Sequence, residues 1–570
     1  MLDTAIQYTG TDWQDIATKK RNQTYEKIPP EWRLSPSVLL DGKGRRQLIG
    51  EFFDGILDGE TLRITSLDVA DILHAIRSRS ISSRRVVSAF CKRAAYAHQL
   101  NNNILEILFD IALRRADDLD RHLEEHGSTL GPLHGLPVSL KDQFHIRGVE
   151  TTMAWVGWVG TFEGKKGTGK ERVVESELIK DLWNLGAVPI AKTSLVQSLW
   201  YGETNNNIIG YTMNPHVQHL SAGGSSGGEG ALQALRGSAI GFGTDIGGSV
   251  SIPSAFNGIF SIKPSHGRLP FKDAANSSRG QMIIPTVVGI MGASIASLQI
   301  LFRSLLAVEP WLRDPECINL PWRKEMEAVP GKPLSFGFMQ HDGTVLPHPP
   351  ILRALRIVSE ALEGGGHELI EWQPPCHSES SRIHRSFTEA DGGADVFEQL
   401  ALSGEPLIPE LQRGFGNGPE PPLDVLQFYK NTIRLKDFRS RYQAYWSSTA
   451  MKTTTGRPVD AVILPLAPHA AVIPGKYVHY TYSSIVNVLD YTTVVIPVTK
   501  ADSKIDVFDS KYNPMSEKDM KNWKSYNAEM YDGAPASIQI LCRRQEEEKV
   551  LSIAQIVVDA LNEYGKKQAF

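Results

Sequence analysis

Cysteine is scarce: Cys91, Cys317, Cys376 and Cys542 are the only four in 570 residues, and no two form a CxxC pair. That spacing excludes a disulfide scaffold and a thiolate zinc site. Free thiols of this kind suit a reducing compartment, so a cytoplasmic location is expected. The sixteen histidines include no HExxH, and no metal is expected. No GxGxxG opens a strand–helix unit. The nearest approach to a phosphate loop, Gly164-Lys165-Lys166-Gly167-Thr168-Gly169-Lys170-Glu171, ends on a glutamate where Mg²⁺ binding needs Ser or Thr. No strand leads into it, so it reads as a basic surface loop, and no cofactor is expected. Charge of one sign is lacking too. A net charge of −4 offers no general attraction to nucleic acid or an anionic membrane. No apolar run reaches the length of a membrane span, the first residues are polar with no signal-like core, and the final Lys566-Lys567-Gln568-Ala569-Phe570 matches no retention or peroxisomal tag. No internal repeat or low-complexity linker divides the chain, so one domain over residues 1–570 is expected.

Glycine, by contrast, is concentrated beside serine. The stretch Ser221–Pro264 carries Gly223-Gly224-Ser225-Ser226-Gly227-Gly228 and, after a short helix and a short strand, Asp245-Ile246-Gly247-Gly248-Ser249. Glycine is costly to order, and it allows positive φ and close approach of backbone N–H groups to a ligand. The N–H groups of Ile246, Gly247, Gly248 and Ser249 can converge on one point, as an oxyanion hole requires. A serine ending that turn is placed to attack the adjacent carbon. No GxSxG elbow is paired with a clear downstream Asp and His, which disfavours an α/β-hydrolase triad. A serine nucleophile then needs another base, and lysine is a known solution.

Elsewhere the chain alternates strands and helices. Residues 1–80 read as an N-terminal helical arm packed on the body, with Ser66 as the N-cap of a helix through LDVADILHAIRSR. A second helix follows Ile81-Ser82-Ser83, and a third runs from about Leu105 to His122, ending before Gly127. Val138–Asp142 reads as a strand containing Lys141, either an edge gatekeeper or an interior lysine with its charge suppressed. His134 beside it reads as a satisfied structural histidine. A helix from about Val173 to Gly186, a strand Ala187–Lys192, a helix Gly227–Arg236, strands near Asp460–Pro465, Thr492–Pro497 and Gly533–Ile540, and a final helix to Tyr564 give an α/β fold. The proline- and aromatic-rich residues 310–450 are expected to cover the substrate entrance.

The motifs GGSSGGEGAL, GFGTDIGGS, PSAFNGIFSIKPSHGRLP and PLHGLPVSLKDQF together resemble the amidase signature family. NNIIGYTMNP, TVLPHPPILR and GAPASIQILCRR look most like its fungal acetamidase branch. The resemblance implies a large twisted mixed β-sheet flanked by α-helices and a Ser–cisSer–Lys triad. In this sequence Ser249 resembles the nucleophile, Ser225 the bridging serine after Gly224, and Lys141 the base. Ile246, Gly247, Gly248 and Ser249 resemble the oxyanion hole, and Leu199 resembles a substrate contact. The base must be neutral, and moving a lysine pKa to near 7 takes roughly 4–5 kcal/mol of bias, which burial can supply. Ser251 stands where many members carry arginine, which implies poor activity on carboxylate-bearing amides. The family implies hydrolysis of small-molecule amides, small neutral aliphatic ones such as acetamide first. Larger amides, anilides or esters, or a place in a transamidation complex, are the alternatives. A homodimer is a further expectation.

Overall fold

Residues 12–568, apart from 330 and 332, are described in a computed structural model. The first eleven residues of the expected arm, and the last two of the chain, lie outside the described residues. Among the described residues, eleven strands form one sheet. They are β1 (Ile104–Ile107), β2 (Pro137–Lys141), β3 (Val188–Thr193), β4 (Ile240–Asp245), β5 (Phe260–Lys263), β6 (Val287–Gly292), β7 (Ser335–Phe338), β8 (Glu368–Glu371), β9 (Ala461–Pro465), β10 (Thr492–Lys500) and β11 (Pro535–Cys542). Their order is β1-β3-β2-β4-β6-β5-β10-β11-β9-β7-β8. Two parallel wings, β3-β2-β4 and β9-β7-β8, flank an antiparallel centre. The sheet is therefore mixed, as expected. The β3-β2-β4 wing is covered on both faces, and every residue of β2 and β3 is buried, which is why both read as apolar runs without alternation.

Helices Ser83–Asn101 and Gly227–Ala234 pack near this wing. The N-terminal helix Trp13–Glu26 is tied down by Lys20, which is buried between Glu106 of β1 and Glu150. The long final helix, Glu547–Gln568, packs on β10 and β11.

Three sequence readings need correction. Ser66 is not an N-cap: it closes the helix Gly59–Thr65, and Asp68 precedes the helix Val69–Arg77. The expected third helix starts late, because Ile104–Ile107 pairs with β3 as the edge strand and the helix spans Phe109–His126. β-branched and apolar residues at its start satisfied a helical stripe and a strand equally. Finally, the window Ile295–Leu312 is apolar and long enough to count as a candidate membrane span. The α-helix inside it covers only Ile295–Ala307, about 20 Å at 1.5 Å per residue against a hydrocarbon core of about 30 Å. Half of the window is buried, with Leu298, Leu301, Phe302 and Leu305 in the core.

Candidate active site

Lys141 ends β2, the strand held between β3 and β4. It is an interior position, not an edge, and the side chain is fully buried. Its Nζ lies 2.6 Å from Ser225 Oγ and 3.0 Å from Thr244 Oγ1. Thr244 Oγ1 in turn contacts Gln143 Oε1 at 2.5 Å, while Gln143 Nε2 donates to the Ala275 carbonyl. Gln143 Oε1 can only accept, so the Thr244 proton points to it and Thr244 accepts from Lys141. Burial pulls the Lys141 pKa down to about 7, with Asp245 pulling weakly the other way. The neutral amine then commits one N–H to Thr244 and has a lone pair to accept the Ser225 hydroxyl proton.

Ser225 is buried, and the Gly224–Ser225 peptide is cis. Glycine is required at 224 by close approach: a Cβ there would lie 2.7 Å from the backbone N and O of Glu203. Gly228 is packed as tightly on the Ser194 backbone. The two serine loops are joined by the Ser226 N–H, which donates to the Ser249 carbonyl at 3.2 Å. The Ser249 hydroxyl makes no hydrogen bond among the described residues, and Ser249 lines a cavity. The Lys141–Ser225 link is thus closed, while Ser225 and Ser249 share no side-chain hydrogen bond among the described residues.

The loop from Ile246 to Ser249 is held from outside. Both oxygens of Asp245 serve it: Oδ1 accepts from Gly248 N–H at 2.8 Å and Asn487 Nδ2 at 3.0 Å, and Oδ2 accepts from Val250 N–H at 2.8 Å. The Ile246 carbonyl accepts from His384 Nε2 at 2.8 Å, and the Gly247 carbonyl accepts from Ser483 Oγ at 2.7 Å. Gly248 sits at φ +121°, and a Cβ on it would meet Ser483 Cβ at 2.5 Å. The expectation that Gly248 donates to an oxyanion therefore needs correction, since its N–H is committed to Asp245. The N–H groups of Ile246, Gly247 and Ser249 have no protein acceptor among the described residues.

A cavity of about 600 Å³ opens over Ser249. Leu199, Ile252, Val396, Leu411, Phe415 and Tyr477 give it an apolar wall, and Arg385, Glu389, Glu410, Arg413 and Lys518 charge its rim. Leu199 is held at φ +72°. Helices His377–Thr388, Ala394–Ala401 and Pro409–Phe415 supply much of the lining. Ser251 is buried away from the cavity, its N–H 3.3 Å and its hydroxyl 3.5 Å from Asp245 Oδ2. Ser251 is not among the residues that line the cavity, so the serine itself gives the wall no contact by which to discriminate carboxylate-bearing amides. His134 is buried and accepts from the Leu130 N–H, and the Gly164–Glu171 turn lies on the surface.

Sequence reasoning did not assign roles to Gln143, Thr244, Asp245, His384, Ser483 or Asn487. The first three sit inside the quoted motifs KDQF and GFGTDIGGS, so a signal existed. The last three lie more than a hundred residues from the loop and carried none.

A family model described as Amidase matches residues 85–551. An "Acetamidase" of Aspergillus oryzae is 40% identical over 96% of this chain and 98% of its own length. An "Acetamidase" of Emericella nidulans is 38% identical over 96% of this chain and 97% of its own. Among solved structures, "Fatty acid amide hydrolase" superposes with a TM-score of 0.88 at 29% identity, covering 97% of this chain and 95% of that one.

Proposed function

The chain belongs to the amidase family and is an amide hydrolase, and from that premise we propose that it works through an acyl-enzyme on Ser249. Lys141 is the base, Ser225 the proton bridge, and the N–H groups of Ile246, Gly247 and Ser249 the oxyanion donors. Ser249 Oγ bonds to the amide carbon while its proton passes through Ser225 to the Lys141 lone pair. The oxyanion collapses, the C–N bond breaks, and the same proton returns through Ser225 to the leaving nitrogen. Ammonia departs from a primary amide. Water then attacks the ester, delivers its proton along the same path, and releases the carboxylate. The observation that carries this reading is the 2.6 Å Lys141–Ser225 contact at a fully buried amine whose pKa burial pulls down to about 7.

Acetamide is the first substrate to test, because two relatives bear the name acetamidase. The cavity favours a second class. Acetamide would fill little of about 600 Å³, a size suited to much larger ligands, and the apolar wall suits amides with a long aliphatic or aromatic group. Ammonia release across amides of rising chain length, run with hydroxylamine present, tests both statements. An acyl-enzyme partitions to hydroxamate in proportion to hydroxylamine. Turnover that yields only carboxylate at every hydroxylamine concentration would refute the intermediate.

A further inference from the structure

The loop that faces the cavity is anchored unevenly. The 247–248 peptide is fixed at both ends, its carbonyl by Ser483 and its N–H by Asp245. Among the described residues, the 246–247 peptide has one anchor only, the 2.8 Å hydrogen bond from His384 Nε2 to the Ile246 carbonyl. A trans peptide points its C=O and N–H in opposite directions. Whatever holds the Ile246 carbonyl therefore also aims the Gly247 N–H. The carbonyl is an acceptor only, so Nε2 carries the proton, and burial favours the neutral ring. The ring also occupies the space a side chain at 247 would need, 3.2 Å from where its Cβ would sit. His384 belongs to the helix His377–Thr388, which lines the cavity with Ser381, Arg385 and Thr388.

We propose that His384 is a positioning residue for the reaction: by holding the Ile246 carbonyl it turns the Gly247 N–H onto the oxyanion. This rests on the acyl-enzyme reading above. One wall of the substrate cavity and one oxyanion donor are then set by the same helix.

The test compares His384→Ala, His384→Phe and His384→Gln with the parent. Phe keeps the packing without the donor, and Gln restores an N–H donor. Losing the aim of one oxyanion donor lowers kcat by about 10²-fold, with KM within threefold. Affinity for a trifluoromethyl ketone, which adds a serine to form a tetrahedral oxyanion, falls by the same factor, and His384→Gln recovers most of both losses. Three results overturn the proposal: kcat within twofold of the parent in a folded His384→Phe, a loss confined to KM, or a kcat loss with unchanged ketone affinity. Fluorophosphonate labelling of the parent at Ser249 is measured alongside. Labelling with unaffected His384 variants sinks this proposal alone, whereas an unlabelled parent sinks the acyl-enzyme reading and this proposal with it.

Discussion

Two regions build the site in different ways. The segment Ser221–Pro264 brings Ser225, Ser249 and the N–H groups of the second loop together within a few dozen residues, almost all buried. Its backbone is over-determined: Gly224 lies on the Glu203 peptide, Gly228 on Ser194, and Gly248 against Ser483. Residues 309–456 are looser. They supply the walls of the cavity through three helices, with Arg413 and Leu423 exposed and Gly418 free of any neighbour within 4 Å of a would-be Cβ. The first region encodes chemistry through short-range backbone demands. The second lines the cavity with side chains that only the folded chain assembles.

The largest effects should fall in the first region. Ser249→Ala lowers kcat/KM by at least about 10⁴-fold with the fold intact, as removal of a serine nucleophile does elsewhere; circular dichroism and ammonia release check it. Lys141→Met follows closely and removes the base. In the parent, activity falls as pH drops through about 7, because the amine gains the proton it must be free to accept. The same residue carries a stability signature. Its folded pKa lies below the unfolded value of 10.5, so its contribution is complete above pH 10.5 and is lost as pH falls through about 7. That difference corresponds to roughly 5 kcal/mol. Urea unfolding should show Lys141→Met gaining on the parent as pH is lowered from 10.5 to 6, and a pH-independent gap would contradict a buried neutral amine.

Next comes a matched glycine pair. Gly248→Ala puts a Cβ into Ser483 at a φ of +121°, and should cost several-fold more stability than an ordinary point change and about 10²-fold in activity. Gly418→Ala, in open space, should alter melting and turnover by less than about 0.5 kcal/mol. Equal effects would erase the contrast between the regions. Smaller again, Phe415→Ala in the cover should raise KM for an anilide by about tenfold, since lost apolar contact of this size is worth about 1–3 kcal/mol, and leave acetamide kinetics within twofold. Smallest is Ser251→Ala, whose hydroxyl sits at the 3.5 Å limit from Asp245; a kcat/KM within twofold of the parent on both neutral and carboxylate-bearing amides is expected.

The same contrast explains what could be read from the sequence. The serine–glycine loops announce themselves because glycine clusters answer local demands, and the strand–helix alternation around them pointed to an α/β core, while the mixed sheet was implied by the family resemblance. Apart from the family resemblance, which implied a base, Lys141 was visible only as a lysine in an apolar strand. Whether that strand was an edge or an interior one depended on β3 and β4, which come from 47 to 104 residues later, counting from Lys141 to Val188 and to Asp245. Ser66 was misread because a serine can close a helix as well as open one, and Ile104–Ile107 because three apolar residues around Glu106 fit a strand and a helix alike. His384, Ser483 and Asn487 had no local signal at all, since their role is a hydrogen bond to a loop far away in the chain.

The most direct test of the lysine–serine–serine relay is intact-protein and peptide mass spectrometry after fluorophosphonate treatment across a pH series. The account predicts a single adduct on Ser249, formed faster as pH rises through about 7 and strongly slowed in Lys141→Met. An adduct on another residue, or labelling of Ser249→Ala at the parent rate, would contradict it.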